Sequence, residues 1–177
     1  MDSNIAKLMA AMIGYDHGDA RRIHHLVKVH DFAATIAAAE GVDKDTTYVL
    51  EAAAIVHDIG IHISEQKYGC CDGKHQEQEG PAEARKLLQL TGCFSDAQID
   101  RVCWLVGHHH TYSHVESIDH RILLEADFLV NVYEDNLSKE GAVNFRNNVF
   151  RTPTGISLLN AMLDLDADTA ADCTDGH

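Results

Sequence analysis

The stretch that decides the fold spans residues 50–60 and reads Leu50-Glu51-Ala52-Ala53-Ala54-Ile55-Val56-His57-Asp58-Ile59-Gly60. His57 lies at helical spacing from Leu50 and Ala53, so in a helix its imidazole would lie on the apolar face that packs against the core. Asp58 follows directly, and a buried charge is costly unless it finds a partner. A divalent metal ion would partner both side chains. Gly60 then predicts the end of this helix, at a point that solvent can reach.

The composition predicts a single all-α domain. The chain has 177 residues, which suits one domain with a sizeable core, and it contains two prolines. Long periodic stretches rich in Ala, Leu, Val and Ile favour helices over strands. We therefore expect one helical domain over residues 1–165 and an acidic, frayed tail at 166–177.

The charge of the chain restricts its partners. It has 28 acidic and 14 basic residues, which gives a formal net charge of −14. Such a surface disfavours extended nucleic acid, whereas a small anionic compound stays compatible if a metal ion supplies positive charge. No apolar run is long enough to span a membrane and the N-terminus lacks secretory features, so we expect a cytoplasmic protein without a membrane partner. The composition is also compatible with a homo-oligomer and does not decide the oligomeric state.

The five cysteines predict free thiols. They include no C-x-x-C pair, and an odd count with two adjacent members is a poor disulfide framework. The adjacent Cys70 and Cys71 have the chemistry to bind a soft metal, but a solvated loop is the preferred interpretation.

Two further polar side chains lie on predicted apolar helix faces. His25 shares a face with Val29 and Phe32, and Asp127 interrupts an apolar face in a helix expected over residues 118–134. Isolated buried aspartates are rare unless paired. A satisfied core residue is the alternative for each histidine, but a second histidine at an equivalent position favours metal ligation.

A second His-Asp dipeptide occurs at His30-Asp31. No apolar run leads into it, and His30 should point to a different side of its helix from His25. The pair is therefore expected to lie outside the metal site.

Residues 60–80 are expected to form a long loop, because they contain turn residues without periodicity. Such a loop could serve as a lid or as a wall of the site. Pro81 is expected in the first turn of the next helix, which should end at Gly92. Ser95 is expected to cap a further helix, which leads to three consecutive histidines at 108–110. Either a functional role or a solvated polar cluster explains those histidines.

The order His25, His57-Asp58, Asp127 resembles the HD-domain superfamily of metal-dependent phosphohydrolases over about residues 22–135. The most specific parts of the resemblance are residues 52–60 and Glu125-Ala126-Asp127-Phe128-Leu129. The resemblance implies a helical bundle with a metal ion at its centre. Its implied ligands are His25, His57, Asp58 and Asp127.

Two imidazoles and two carboxylates suit a six-coordinate divalent ion with room for solvent or substrate. Mn, Fe, Co, Ni or Mg fit such a set better than a closed structural zinc site does. The ion would lower the pKa of a bound water and hold a phosphoryl oxygen. Asp58 would orient that water, while His108 and His109 would contact the phosphate or protonate the leaving oxygen.

Some branches of the family carry a second metal ion. The candidate ligands here are His75, His108 and His109. In those branches the loop histidine stands four residues before a glycine, whereas here Gln76 has that spacing from Gly80, and Ile61 replaces a lysine that often follows the dipeptide. One metal ion is therefore the main prediction.

The sequence thus predicts a phosphohydrolase that acts on a small phosphorylated compound, with a nucleotide or related phosphoester preferred. The alternative is a non-catalytic HD-type module that binds metal or nucleotide. A purely structural metal site is a third interpretation, which an open coordination position would contradict.

Overall fold

The computed structural model describes residues 2–115 and 117–165, and the tail expected at 166–177 lies outside the described residues. The described residues contain helices and no strand, so the all-α prediction is confirmed. The helices are α1 (Ser3–Tyr15), α2 (Ala20–Ala39), α3 (Lys44–Val56), α4 (Ile61–Tyr68), α5 (Gly73–Thr91), α6 (Asp96–Val106), α7 (Ile118–Glu134), α8 (Lys139–Val149) and α9 (Pro153–Leu163). Within these ranges, no helix is long and apolar enough to cross a bilayer.

Helix α3 lies at the centre of the bundle. Every side chain from Ala52 to Val56 is fully buried, and the helix contacts α1, α2, α6 and α7. A helix that is apolar on all sides is stable only when neighbours cover it on all sides. Asp43 begins the helix as expected, because its side chain accepts a hydrogen bond of 2.9 Å from the backbone N–H of Thr46. This packing delivers the residues that follow Val56 into the core.

Gly60 has a different role from the one expected. Helix α3 ends at Val56, and Gly60 has a φ of −71° and caps the start of α4. A Cβ atom at Gly60 would lie 2.8 Å from the carbonyl oxygen of Gln76 and 2.8 Å from the nitrogen of Gly80. Glycine is therefore needed because the backbone of α5 passes directly against this corner.

The prediction of a long loop at residues 60–80 is wrong. Helix α4 occupies Ile61–Tyr68 and α5 begins at Gly73, so residues 69–72 alone connect the two helices. Helix α4 has no apolar stripe, since its single buried residue is Ser64. Its packing against α5, which periodicity does not reveal, stabilises it instead. A lid of some twenty residues is thereby excluded.

Pro81 lies inside α5 and not in its first turn. The helix begins earlier than expected, because the side chain of Asp72 accepts a hydrogen bond of 3.0 Å from the backbone N–H of His75. Gly92 ends α5 in the left-handed conformation as expected. Ser95 caps α6 with a complete capping box, which confirms that prediction as well.

Helices α2 and α7 pack against α3 and against each other. Asp19 caps α2 by accepting a hydrogen bond of 3.0 Å from the backbone N–H of Arg22. Helix α7 has the expected bounds and buries residues on every side of its central turns. The three helices therefore bring the polar residues of their inner faces to one point in the core.

Candidate metal centre

The four predicted ligands lie together where α2, α3 and α7 meet. His25 is 7% exposed, His57 is 0% exposed and Asp127 is 6% exposed. The Nε2 atoms of His25 and His57 lie 3.2 and 3.4 Å from Oδ1 of Asp127. Oδ2 of Asp58 lies 3.5 and 3.6 Å from the same two nitrogens. Cis donors of one six-coordinate ion are about 3 Å apart for bonds near 2.1 Å, so this spacing suits a shared ion.

The Nδ1 atoms of both histidines are already engaged. Nδ1 of His25 donates to Oε2 of Glu134 at 3.1 Å, and Nδ1 of His57 donates to the carbonyl oxygen of Ala54 at 3.0 Å. In the neutral rings the lone pairs therefore lie on the Nε2 atoms, which face each other at 3.3 Å. Two facing lone pairs repel unless a proton or a metal ion lies between them. The donors thus fit a metal ion.

The charge distribution also favours a cation at this point. Burial lowers the pKa of His25, but the hydrogen-bonded carboxylate of Asp127 and the charge of Asp58 outweigh it and raise that pKa to about 9. At His57 burial also lowers the pKa, but the carboxylates of Asp58 and Asp127 outweigh it, so the pKa of His57 is raised as well. The histidines in turn hold the pKa of Asp58 and of Asp127 well below the ordinary value, against the effect of burial. Protons compete with a metal ion for the same nitrogens.

His109 extends the centre on the other side of Asp58. Its Nδ1 donates to the carbonyl oxygen of Val106 at 2.6 Å, and its Nε2 lies 3.2 Å from Oδ1 of Asp58. The side chain is 1% exposed, and Asp58 is the polar partner of this Nε2. His109 thereby holds one oxygen of the carboxylate whose other oxygen faces His25 and His57.

His110 joins the centre although the sequence did not select it. Its backbone N–H and the hydroxyl of Thr111 both donate to Oε1 of Glu77 at 2.9 Å, which fixes the turn after α6. Burial and the neighbouring His109 lower the pKa of His110, so the ring is neutral and able to bind metal. Donor atoms of Asp58, His109 and His110 all lie within 4.8 Å of one another. A turn has no periodic face, and no sequence signal separated His110 from its neighbours.

Two predicted candidates lie apart from these donors. The ring of His108 stacks on Trp104 with centroids 4.1 Å apart, and its Nδ1 donates to the carbonyl oxygen of Trp104 at 2.7 Å. His75 contacts Asp72 and Cys70. In the described part of the chain neither histidine belongs to a donor group that includes Asp58 or Asp127. His30 is buried as well, but on another side of α2, where it lies 3.1 Å from Glu51.

Glu134 is a site residue that sequence analysis could have found. It lies seven residues after Asp127, which is two helical turns along the same face of α7. Besides receiving the hydrogen bond from His25, it pairs with Lys28. Carboxylates that accept a hydrogen bond from a ligating histidine fix the ring and raise its basicity.

A cavity of about 440 Å³ opens in front of the cluster. His25, Asp58 and Asp127 lie on its floor, and Gln76 and His110 belong to its wall. Arg21 and Arg22, near the start of α2, also line the cavity, where Arg21 pairs with Asp135 and Arg22 pairs with Asp19 and Glu65. Arg22 is held in place by Nη1 at 2.9 Å from the ring of His62. The metal donors thus face a space that admits a small molecule.

Comparison with known proteins places the chain in a family. Residues 22–139 match the HD domain, and this span contains all four predicted ligands. The chain also resembles the crystal structure of a predicted HD superfamily hydrolase from an uncultured Thermotogales bacterium, with a TM-score of 0.64 and 22% identity over 94% of this chain and 88% of that chain. At this identity the likeness shows a common fold. No curated protein matches the chain.

Proposed function

The chain belongs to the HD-domain family, and from this we propose that it is a metal-dependent phosphohydrolase acting on a small phosphorylated compound, with nucleotides as the first candidates. One observation supports the proposal above all: the facing Nε2 atoms of His25 and His57, 3.3 Å apart. Their Nδ1 atoms are engaged elsewhere and carboxylates surround them, so the Nε2 atoms share either a proton or a metal ion, and a divalent cation suits the whole donor set.

His25, His57, Asp58 and Asp127 would hold the ion. Nitrogen and oxygen donors without sulfur suit Mn, Fe, Co, Ni or Mg. When bound, a divalent cation polarises a phosphoryl oxygen and lowers the pKa of water. Glu134 keeps the lone pair of His25 directed toward the ion through its 3.1 Å contact with Nδ1.

Asp58 would handle the attacking water, and His109 would support it. The carboxylate of Asp58 accepts a hydrogen bond from the attacking water and thereby orients it. His109 is buried and does not line the cavity, so it would act through Asp58 by holding that carboxylate in position. The 3.2 Å contact between Oδ1 of Asp58 and Nε2 of His109 keeps these two groups side by side.

The cavity supports a small substrate. Small-molecule sites commonly have volumes of about 300–1,000 Å³, and the cavity of about 440 Å³ falls within that range. Arg22 would offer its guanidinium to a phosphate group. The formal net charge of −14 argues against a long polyanion as the substrate.

A second ion is the alternative form of the same proposal. Oδ2 of Asp58 faces His25 and His57, while its Oδ1 faces His109. His110 completes the second donor group. Asp58, His109 and His110 would hold the second ion, with Asp58 shared between the two. Metal content per chain distinguishes the two forms.

The direct test is metal analysis of the purified protein, followed by turnover of nucleotides and other phosphomonoesters with each of the five metals. We expect stoichiometric metal and phosphate release from at least one class of substrate. Absence of turnover with every metal would contradict catalysis. A nucleotide that raises the melting temperature and is recovered intact would instead support the binding module.

A further inference from the structure

A separate cluster of metal-binding side chains lies at the connection between α4 and α5. Sγ of Cys70 is 3.6 Å from Nδ1 of His75 and 3.7 Å from Oδ2 of Asp72. Oδ2 of Asp72 is 2.9 Å from Nδ1 of His75. All three side chains are at least partly exposed, so an ion from solvent can reach them.

The spacing of these atoms matches that of ligands on one tetrahedral ion. With bonds of about 2.3 Å to sulfur and about 2.0 Å to nitrogen and oxygen, tetrahedral donors lie about 3.3–3.6 Å apart. The observed separations of 3.6, 3.7 and 2.9 Å differ from these values by a few tenths of an ångström. Small side-chain rotations suffice to close the difference.

Two of the three donors are already held in position. Oδ1 of Asp72 caps α5 through the backbone N–H of His75 at 3.0 Å, which leaves Oδ2 directed at the cluster. The ring of His75 stacks on Tyr68, with centroids 4.0 Å apart. An ion would therefore gain ligands that lose little conformational freedom on binding.

We propose that Cys70, Asp72 and His75 form a metal site of their own, which binds a soft divalent cation such as Zn²⁺ with solvent as the fourth ligand. A thiolate, an imidazole and a carboxylate suit zinc and disfavour Mg²⁺. The main centre has no sulfur ligand, so thiolate ligation distinguishes the two sites. This proposal does not depend on catalysis.

The proposed site adjoins the cavity. Cys71 lines the cavity, and its carbonyl oxygen accepts a hydrogen bond of 2.6 Å from Nε2 of Gln76. Oε1 of Gln76 in turn lies 3.3 Å from Nε2 of His110. An ion bound by Cys70 would fix the connection at residues 69–72 and, through it, this part of the cavity wall.

Titration with Co²⁺ under reducing conditions tests the proposal, because a cysteine ligand produces a thiolate-to-cobalt charge-transfer absorption that imidazole and carboxylate ligands do not. We expect this band in the wild-type protein and in the His57→Ala variant, which lacks a main-centre ligand. Cys70→Ser should abolish the band and remove one equivalent of bound Zn²⁺. His75→Ala should weaken binding at least about tenfold, as for other losses at a metal site.

Cys71→Ser is the matched control, since it removes the adjacent exposed thiol and should leave the band intact. No band in the wild-type protein, or a band that survives in Cys70→Ser, would overturn the site. A band that disappears in His57→Ala would show that the thiolate belongs to the main centre, which contradicts a separate site.

Discussion

Asp58 and His109 face each other beside the metal centre, with 3.2 Å between Oδ1 and Nε2. The other oxygen of the same carboxylate lies 3.5 Å from Nε2 of His25. Asp58 therefore contacts His25 and His57 through one oxygen and His109 through the other. Substituting it should disturb metal binding and chemistry together.

Asp58→Asn preserves the shape of the side chain but replaces an anionic oxygen by an amide group. We expect turnover to fall by at least about 100-fold, the usual contribution of a positioned acid or base, and metal content to fall as well. Asp31→Asn, which alters the exposed aspartate of the other His-Asp dipeptide, should leave both unchanged. Phosphate release and elemental analysis measure the two effects, and an Asp58→Asn protein within tenfold of wild type would contradict the assignment.

His57→Ala and His30→Gln compare the two histidines that precede an aspartate. We expect His57→Ala to lose metal and activity, because a central ligand is removed. His30 instead pairs with Glu51 at 3.1 Å, so His30→Gln should keep both while losing about 1 kcal/mol of stability. Metal content is measured on protein whose helicity has been verified by circular dichroism. Equal metal content in wild type and His57→Ala would contradict the whole arrangement.

Glu134→Gln tests the orientation of His25 without removing a ligand. The neutral amide accepts a weaker hydrogen bond from Nδ1, so metal affinity should fall by about 10- to 100-fold. Glu140→Gln, on the exposed face of α8, is the control with the same change of charge. Competition against a chelator gives both affinities. Equal affinities in the two variants would show that Glu134 does not position the ring.

Acid stability should depend on Asp119. Its carboxylate receives hydrogen bonds of 2.8 Å from Nε and from Nη2 of Arg101. Burial raises the pKa of Asp119, but Arg101 and Ser117 outweigh burial and lower it overall. Because this pKa is lower in the folded than in the unfolded state, the ionised carboxylate stabilises the fold at every pH above the unfolded pKa of about 3.9. The stabilisation is lost as the pH falls through the folded pKa.

Asp119→Asn should therefore be less stable than wild type at pH 7, on the order of 1 kcal/mol, since Arg101 is partly exposed and the pair is screened. Urea unfolding at pH 7 and at about pH 3 measures the difference in the free energy of unfolding. We expect the difference to shrink at the lower pH. A difference that stays constant between the two pH values would exclude a titrating ion pair.

The sequence predicted the central helices and the four central donors because both depend on the same regularity. His25, His57 and Asp127 interrupt apolar faces at helical spacing, and the caps Asp43 and Ser95 mark helix starts by local hydrogen bonds. These signals lie within a few residues of the feature that they predict. The packing of α2, α3 and α7 brings these side chains together.

Features that depend on distant contacts were not predictable in this way. Helix α4 is polar and is stabilised by its packing against α5. Pro81 suggested that α5 begins near residue 81, but Asp72 caps the start of this helix nine residues earlier. His110 is positioned by a hydrogen bond from its backbone N–H to Glu77, which lies 33 residues away in the chain. Such pairings follow from how α5 packs against α6, which no local pattern encodes.

The contact between Gly60 and Gly80 has a consequence for how the sequence can change over time. A Cβ atom on Gly60 would lie 2.8 Å from the backbone nitrogen of Gly80, and one on Gly80 would lie 2.7 Å from Val106. Main-chain atoms therefore set the distance between the corner that carries Asp58 and the helix that carries Gln76. Replacing Gly60 by a residue with a Cβ atom would therefore move the corner, and replacing Gly80 would displace Val106.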